Sequence, residues 1–114
     1  ETGRMLLQAL ESRLDNVIFR SGLAISRPQA RQLISHRHFI LNHRRVNIPS
    51  ILVNIGDVVE TNSPKSVKFV PDHGVASWLK VDKKTLRVTV DRLPTDEELP
   101  LEFDTQKIVQ FYSR

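Results

Sequence analysis

Between Ser26 and Asn42 this chain changes its hydrophobic period, and that change limits its possible folds more than any other feature. Ser26 and Gln29 make a capping box, in which the hydroxyl takes the N3 amide and the glutamine reaches back to the cap. Pro28 falls in the first turn, where no internal hydrogen bond is lost. Ala30, Leu33 and Ile34 then form an apolar stripe, with Ala30 small enough for another helix to approach closely. Arg27 and Arg31 stand four apart and point one way, followed by Ser35 and His38. From Phe39-Ile40-Leu41 the texture is that of a strand. A chain that moves from a three-to-four-residue period into a strand with so short a link must pack helix against sheet.

The segment before this switch is also helical. Leu6, Leu7, Leu10, Leu14, Val17 and Ile18 recur at three- and four-residue steps, which predicts one amphipathic helix capped by Thr2 and terminated at Gly22. Arg13, Asn16 and Arg20 fall on its polar side, either as contacts or as plain solvated surface. About three residues, Leu23 to Ile25, separate the two helices, so they pack as an angled pair. Downstream, Phe39–Leu41 and Val46–Ile48 flank a turn at Asn42–Arg45, and Val58-Val59 forms a further strand. Residues 61–74 are rich in Asn, Ser, Pro and Gly and read as loop, with Val67, Phe69 and Val70 able to add a short strand. Trp78–Asp82 and Leu86–Val90 make a second hairpin across Lys83-Lys84-Thr85. Thr95-Asp96-Glu97-Glu98 reads as an acidic helical turn, and Ile108–Tyr112 as a short strand or helix. The expected class is α+β: two packed N-terminal helices on a small bent antiparallel sheet, with a short C-terminal appendage.

Charge divides along the chain. Residues 1–50 hold eight arginines, no lysine and three acids, a balance of 8 − 3 = +5. Residues 51–114 hold nine Lys/Arg against ten Asp/Glu, a balance of 9 − 10 = −1. An arginine-only excess on one half suits a polyanion, because the guanidinium fork grips phosphate in a plane where lysine offers a point charge. The chain has no cysteine, which removes disulfides, thiol catalysis and the common zinc frameworks. His36, His38 and His43 are close in sequence but come without a carboxylate or thiol partner, so no metal is expected. No nucleophile, base and orienting group occur together, so no catalytic residue, enzyme activity or cofactor is expected. No apolar run approaches a membrane span, and no leader pattern is present. The chain starts at Glu1, which leads us to expect a part of a longer product.

Particular stretches resemble a known family. Leu10-Glu11-Ser12-Arg13-Leu14-Asp15-Asn16-Val17, Gly22-Leu23-Ala24, and Ser26-Arg27 with Ala30-Arg31-Gln32-Leu33-Ile34-Ser35-His36 are similar to bacterial-type small ribosomal subunit protein four, the founding member of a widespread RNA-binding module. Val46-Asn47-Ile48-Pro49-Ser50, Gly56-Asp57-Val58, Trp78-Leu79 and the ending Phe111-Tyr112-Ser113-Arg114 extend the likeness over nearly the whole chain. The Arg-Leu-Asp and Ser-Arg core is shared by the module at large, whereas Asn-Ile-Pro-Ser and Phe-Tyr-Ser-Arg point to the ribosomal protein.

The resemblance implies a primary binder of small-subunit ribosomal RNA that sits at a multi-helix junction, nucleates subunit assembly and influences decoding accuracy. It also implies contacts with small-subunit ribosomal protein five and with messenger RNA near the entry channel. The location would be the cytoplasmic ribosome of a bacterium, with a plastid or other organellar ribosome as the alternative. An RNA-binding domain over residues 1–91 (helix pair 4–38, strands 39–60, loop 61–77, hairpin 78–91) would precede a C-terminal segment, 92–114, that packs on an N-terminal region this chain lacks. Arg27 and Arg31 are the leading phosphate clamps. Gln32, His36 and Asn42 are candidates for 2′-hydroxyl or base-edge contacts, with cap or turn chemistry as the alternative for Gln32 and Asn42. Arg13, Asn16, Arg20, Ser26, Arg37, His38, Arg44 and Arg45 complete the expected RNA-binding set. Two positions depart from the family pattern, since Arg37 and His43 stand where glycine is usual. The competing class is an RNA-binding module acting off the ribosome, alone or as an appendage of an RNA-modifying enzyme.

Overall fold

The computed structural model describes residues 2–70 and 74–98, and over them the fold is α+β as expected. Three helices come first: α1 (Thr2–Glu11), α2 (Leu14–Arg20) and α3 (Arg27–Ser35). Five antiparallel strands follow: β1 (Phe39–Leu41), β2 (Arg44–Val46), β3 (Val58–Thr61), β4 (Leu79–Asp82) and β5 (Arg87–Val90). Their order in the sheet is β2-β1-β3-β5-β4, and a 3-10 turn at Asp96–Glu98 closes the described chain. The Ile108–Tyr112 segment lies outside the described residues, as does the side chain of Thr2.

The first helix corrects the sequence reading. Instead of one helix running to Gly22, the chain breaks at Ser12-Arg13, where Arg13 is extended (φ −65°, ψ 143°). The cause is tertiary. The Val53 amide donates to the Ser12 carbonyl at 2.8 Å, and Leu52 bridges Arg13 as in a sheet. Across the break, the Leu14 and Asp15 amides donate to the Ile51 and Pro49 carbonyls at 2.7 and 3.1 Å. A helix start needs partners for its first amides, and here a loop supplies them in place of a capping side chain. Pro49 of the Asn47-Ile48-Pro49-Ser50 motif thus has a structural task, capping α2 together with Ile51.

Both α2 and α3 end in the same hydrogen-bonded motif, in which the amide three residues past the last helical position reaches the third carbonyl from the end. In α2, Leu23 donates to Ile18 and Gly22 to Phe19, with Gly22 at φ 86°. In α3, His38 donates to Leu33 and Arg37 to Ile34, with Arg37 at φ 65°. A Cβ on Gly22 would lie 2.9 Å from the Phe69 ring, so that position needs glycine for space as well as for backbone angle.

Leu14, Val17 and Ile18 of α2 and Ala30 and Ile34 of α3 are fully buried against Phe39, Val59, Val88 and Val90 of the sheet. Burying side chains of this size is worth roughly 1.5–3 kcal/mol each, which makes this single core the frame for the surface above it. α1 stands apart, with Leu7 as the centre of its own small cluster with Leu6 and Leu10. The first hairpin turns on two residues, Asn42 (φ 49°) and His43 (φ 68°), tighter than the four-residue turn expected. Val67 is buried and Phe69 packs on the core, but neither belongs to a strand. In the second hairpin the Asp82 carboxylate accepts from the Thr85 and Lys84 amides, which hold it below its ordinary range.

Candidate nucleic-acid interface

The break between α1 and α2 folds the end of α1 back beside α2 and leaves two carboxylates among the arginines. Glu11 and Asp15 are 3% and 2% exposed, and Asn16, placed on the polar side by its spacing, is also buried at 3%. Burial of ionised groups is tolerated only when they are paired and hydrogen-bonded. Each of these is. Arg13 donates through Nε and Nη2 to the two oxygens of Asp15 at 3.1 and 3.0 Å, a fork-on-fork pair. Arg31 lies 3.7 Å from the same carboxylate, and the Asn16 amide donates to its Oδ1 at 2.7 Å.

Glu11 does the same for the other side. Arg20 Nη2 donates to Glu11 Oε1 at 2.8 Å. Asn16 Nδ2 donates to the Glu11 backbone carbonyl at 2.6 Å and to Glu11 Oε2, while Asn16 Oδ1 accepts from Arg27 Nε at 2.9 Å. Asn16 is therefore a link between Glu11 and Arg27, its amide group engaged at both ends. Phe19 adds a third restraint, with the Arg27 and Arg20 guanidiniums 4.7 and 5.9 Å from its ring centre.

Arg13, Arg20 and Arg31 thus pair with two buried acids and Arg27 joins them through Asn16, a local balance of 4 − 2 = +2. The side chains of Arg13, Arg20 and Arg31 remain 27%, 29% and 47% exposed, so each guanidinium is braced on one side and open on the other. A notch of about 180 Å³ is lined by Leu10, Glu11, Arg13, Asp15, Asn16, Arg27 and Arg31. The chemistry that the partly exposed guanidiniums of Arg13, Arg20 and Arg31 offer beside it is anion binding, phosphate above all.

The remaining expected residues divide. Gln32 and His36 are exposed on and just beyond α3, and His38 is half-buried. Ser26 is occupied as the helix cap, accepting from the Gln29 amide at 3.1 Å. Gln29 returns the bond one residue earlier than a standard box, accepting from the Ile25 amide at 2.7 Å. Asn42 is engaged in the fold: its Oδ1 accepts from the Val58 amide and its Nδ2 donates to Asp57, both at 2.9 Å. Arg44 and Arg45 are exposed on the edge strand β2. Arg37 joins Arg45, Val46 and Asn47 around a second notch of about 250 Å³. Reading the sequence missed Glu11, Asp15 and Phe19. The available signal was that Glu11 and Asp15, four apart, are the only acids besides Glu1 in an arginine-rich half.

Residues 12–59, which hold α2, α3 and the first three strands up to Val59, match the family model described as the S4 domain. Over 99% of its length the chain is also similar to small ribosomal subunit proteins. It is 48% identical to small ribosomal subunit protein uS4A of Symbiobacterium thermophilum. Identity is 45% to protein uS4 of Aquifex aeolicus and 41% to that of Syntrophus aciditrophicus. The matches span 58% of each of these curated relatives. The resemblance to bacterial-type small ribosomal subunit protein four holds along the chain.

Proposed function

We propose that this chain is the S4-domain portion of a bacterial small ribosomal subunit protein, and that it binds small-subunit ribosomal RNA through the arginine face of α2 and α3. The observation that carries this reading is the pairing of Arg13, Arg20 and Arg31 with Glu11 and Asp15, with Arg27 tied to the same cluster through Asn16. Folded RNA is recognised largely through phosphates, 2′-hydroxyls and shape. A rigid set of guanidiniums fits that task better than a stacking platform for single strands, since the Phe19 ring beside the buried acids is covered by Arg20 and Arg27. Arg37, Arg44 and Arg45 would extend the contact along the sheet edge, with Gln32, His36 and His38 beside them.

The relatives' names support a constituent of the small subunit, and we extend the reading to binding at a multi-helix junction early in assembly and an effect on decoding accuracy. It would touch small-subunit ribosomal protein five and messenger RNA near its entry. The segment 92–114 would pack on the N-terminal region that the longer relatives carry. Bacterial relatives favour a bacterial cytoplasmic ribosome over an organellar one.

The test is a binding titration of a small-subunit ribosomal RNA junction transcript across a salt series. Arg27→Ala with Arg31→Ala should weaken binding about 100-fold and lower the log–log salt slope by about 1.5, two phosphate contacts at roughly 0.7–0.9 each. Unchanged affinity and slope would remove α3 from the interface. Failure of the wild-type protein to travel with small subunits at moderate salt would favour an RNA-binding role off the ribosome.

A further inference from the structure

Two carboxylates at the centre of a site for a polyanion are costly twice over: each is desolvated, and each repels the ligand. Coulomb interaction alone favours their absence. We infer that Glu11 and Asp15 are positioning residues which fix the spacing of the guanidiniums, so that the face selects folded RNA over flexible polyanions. The inference rests on the RNA-binding reading above and adds to it a determinant of specificity.

The geometry supports this in two ways. Glu11 is wired to both helices: directly to Arg20, and through Asn16 to Arg27. Asp15 holds Arg13 with both oxygens and draws Arg31 to 3.7 Å, so one acid again spans α2 and α3. Free arginines on these helices would sample many rotamers, and a flexible polyanion could follow them. A folded RNA presents phosphates at set distances, and it gains most from cations whose rotamers are already fixed.

The sign of the effect separates this from general electrostatics. Glu11→Gln raises the net charge from +4 to +5, so a purely Coulombic face would bind every polyanion more tightly. The experiment measures Kd of the full chain for the junction transcript and for heparin at one salt concentration, with thermal melts to verify a cooperative fold. Asp15→Asn is the parallel variant and stands in if Glu11→Gln does not fold. For either variant, the ratio of the heparin Kd to the junction Kd should fall about tenfold, by weaker junction binding and equal or tighter heparin binding. A ratio changed by less than threefold, whether both affinities rise or both fall, overturns the inference. If the wild-type chain does not bind the junction transcript, the RNA-binding reading itself fails, whereas binding with no preference over heparin overturns the inference alone. A wild-type preference that both variants retain defeats only the positioning role.

Discussion

Arg37 occupies a backbone position that its counterpart at the end of α2 gives to glycine, and replacing it separates the needs of the fold from those of the ligand. At both helix ends the same pair of hydrogen bonds closes the last turn, around Gly22 at φ 86° and around Arg37 at φ 65°. Left-handed backbone costs an L-residue roughly 1–2 kcal/mol, and glycine's extra chain entropy returns about 0.5–1 kcal/mol of that. Removing the guanidinium also removes a favourable cation at a helix C-terminus, about 0.3 kcal/mol when exposed. Arg37→Ala loses the same cation and keeps the backbone strain, so comparing the two variants cancels that contribution. Arg37→Gly should therefore be more stable than Arg37→Ala by about 0.5–1 kcal/mol. In urea, with a denaturant slope of roughly 2 kcal/mol per molar, the midpoints would differ by about 0.3–0.5 M.

RNA binding should respond differently. Arg37 faces a notch shared with Arg45 and Asn47, and losing one phosphate contact should lower the salt slope by roughly 0.7–0.9 in either variant. Arg37→Gly then exceeds Arg37→Ala in stability while the two lose binding equally. Equal midpoints would refute the assignment of strain to φ. Wild-type affinity in Arg37→Gly would refute the view that the side chain is kept at this position for its ligand, which is the usual reason for strained backbone at a binding surface.

Gly22→Ala should act in the contrary sense: backbone strain and the 2.9 Å approach to Phe69 together cost about 2–3 kcal/mol, read as a lower urea midpoint, and a loss below about 1 kcal/mol would show that Phe69 moves freely aside. Acid should loosen the C-terminal turn. Glu98 is held well below its ordinary value of 4.5, first by hydrogen bonds from Arg92, then by Ser77 and the Thr95 amide. A depressed carboxyl stabilises the fold above its unfolded pKa, and that contribution is lost as pH falls from about 4.5 toward the folded value. An NMR titration of the Glu98 side-chain carbon should show no midpoint near 4.5; an ordinary midpoint would refute the pairing.

How much of this was visible in the sequence depends on the range of the forces involved. Leu14, Val17, Ile18, Ala30 and Ile34 were placed in the core by their spacing alone, because a helix buries one face whatever the rest of the chain does. The end of α2 at Gly22 and the start of α3 at Ser26 were legible for a similar reason, since caps and left-handed terminators are local. The break at Ser12-Arg13 was not. It is made by backbone groups of residues 49–53, nearly forty positions away, and no periodicity in residues 2–22 reports it. That one displacement turned Asn16 from a surface residue into a buried link, and made two acids in a familiar motif into anchors for four arginines. Arginine positions could be read from the chain, but their directions could not, because direction is set by what each guanidinium is bonded to. The same reasoning explains why Asn42, expected to choose between ligand and turn chemistry, is bound to Asp57 and Val58. A two-residue turn with both backbones left-handed must be fastened to the neighbouring strand, and a side-chain amide can offer β3 both an acceptor and a donor. Charge alone would have assigned this surface to any polyanion. The buried acids narrow it, since they spend negative charge to fix geometry, and that exchange is useful only to a ligand whose own phosphates are fixed.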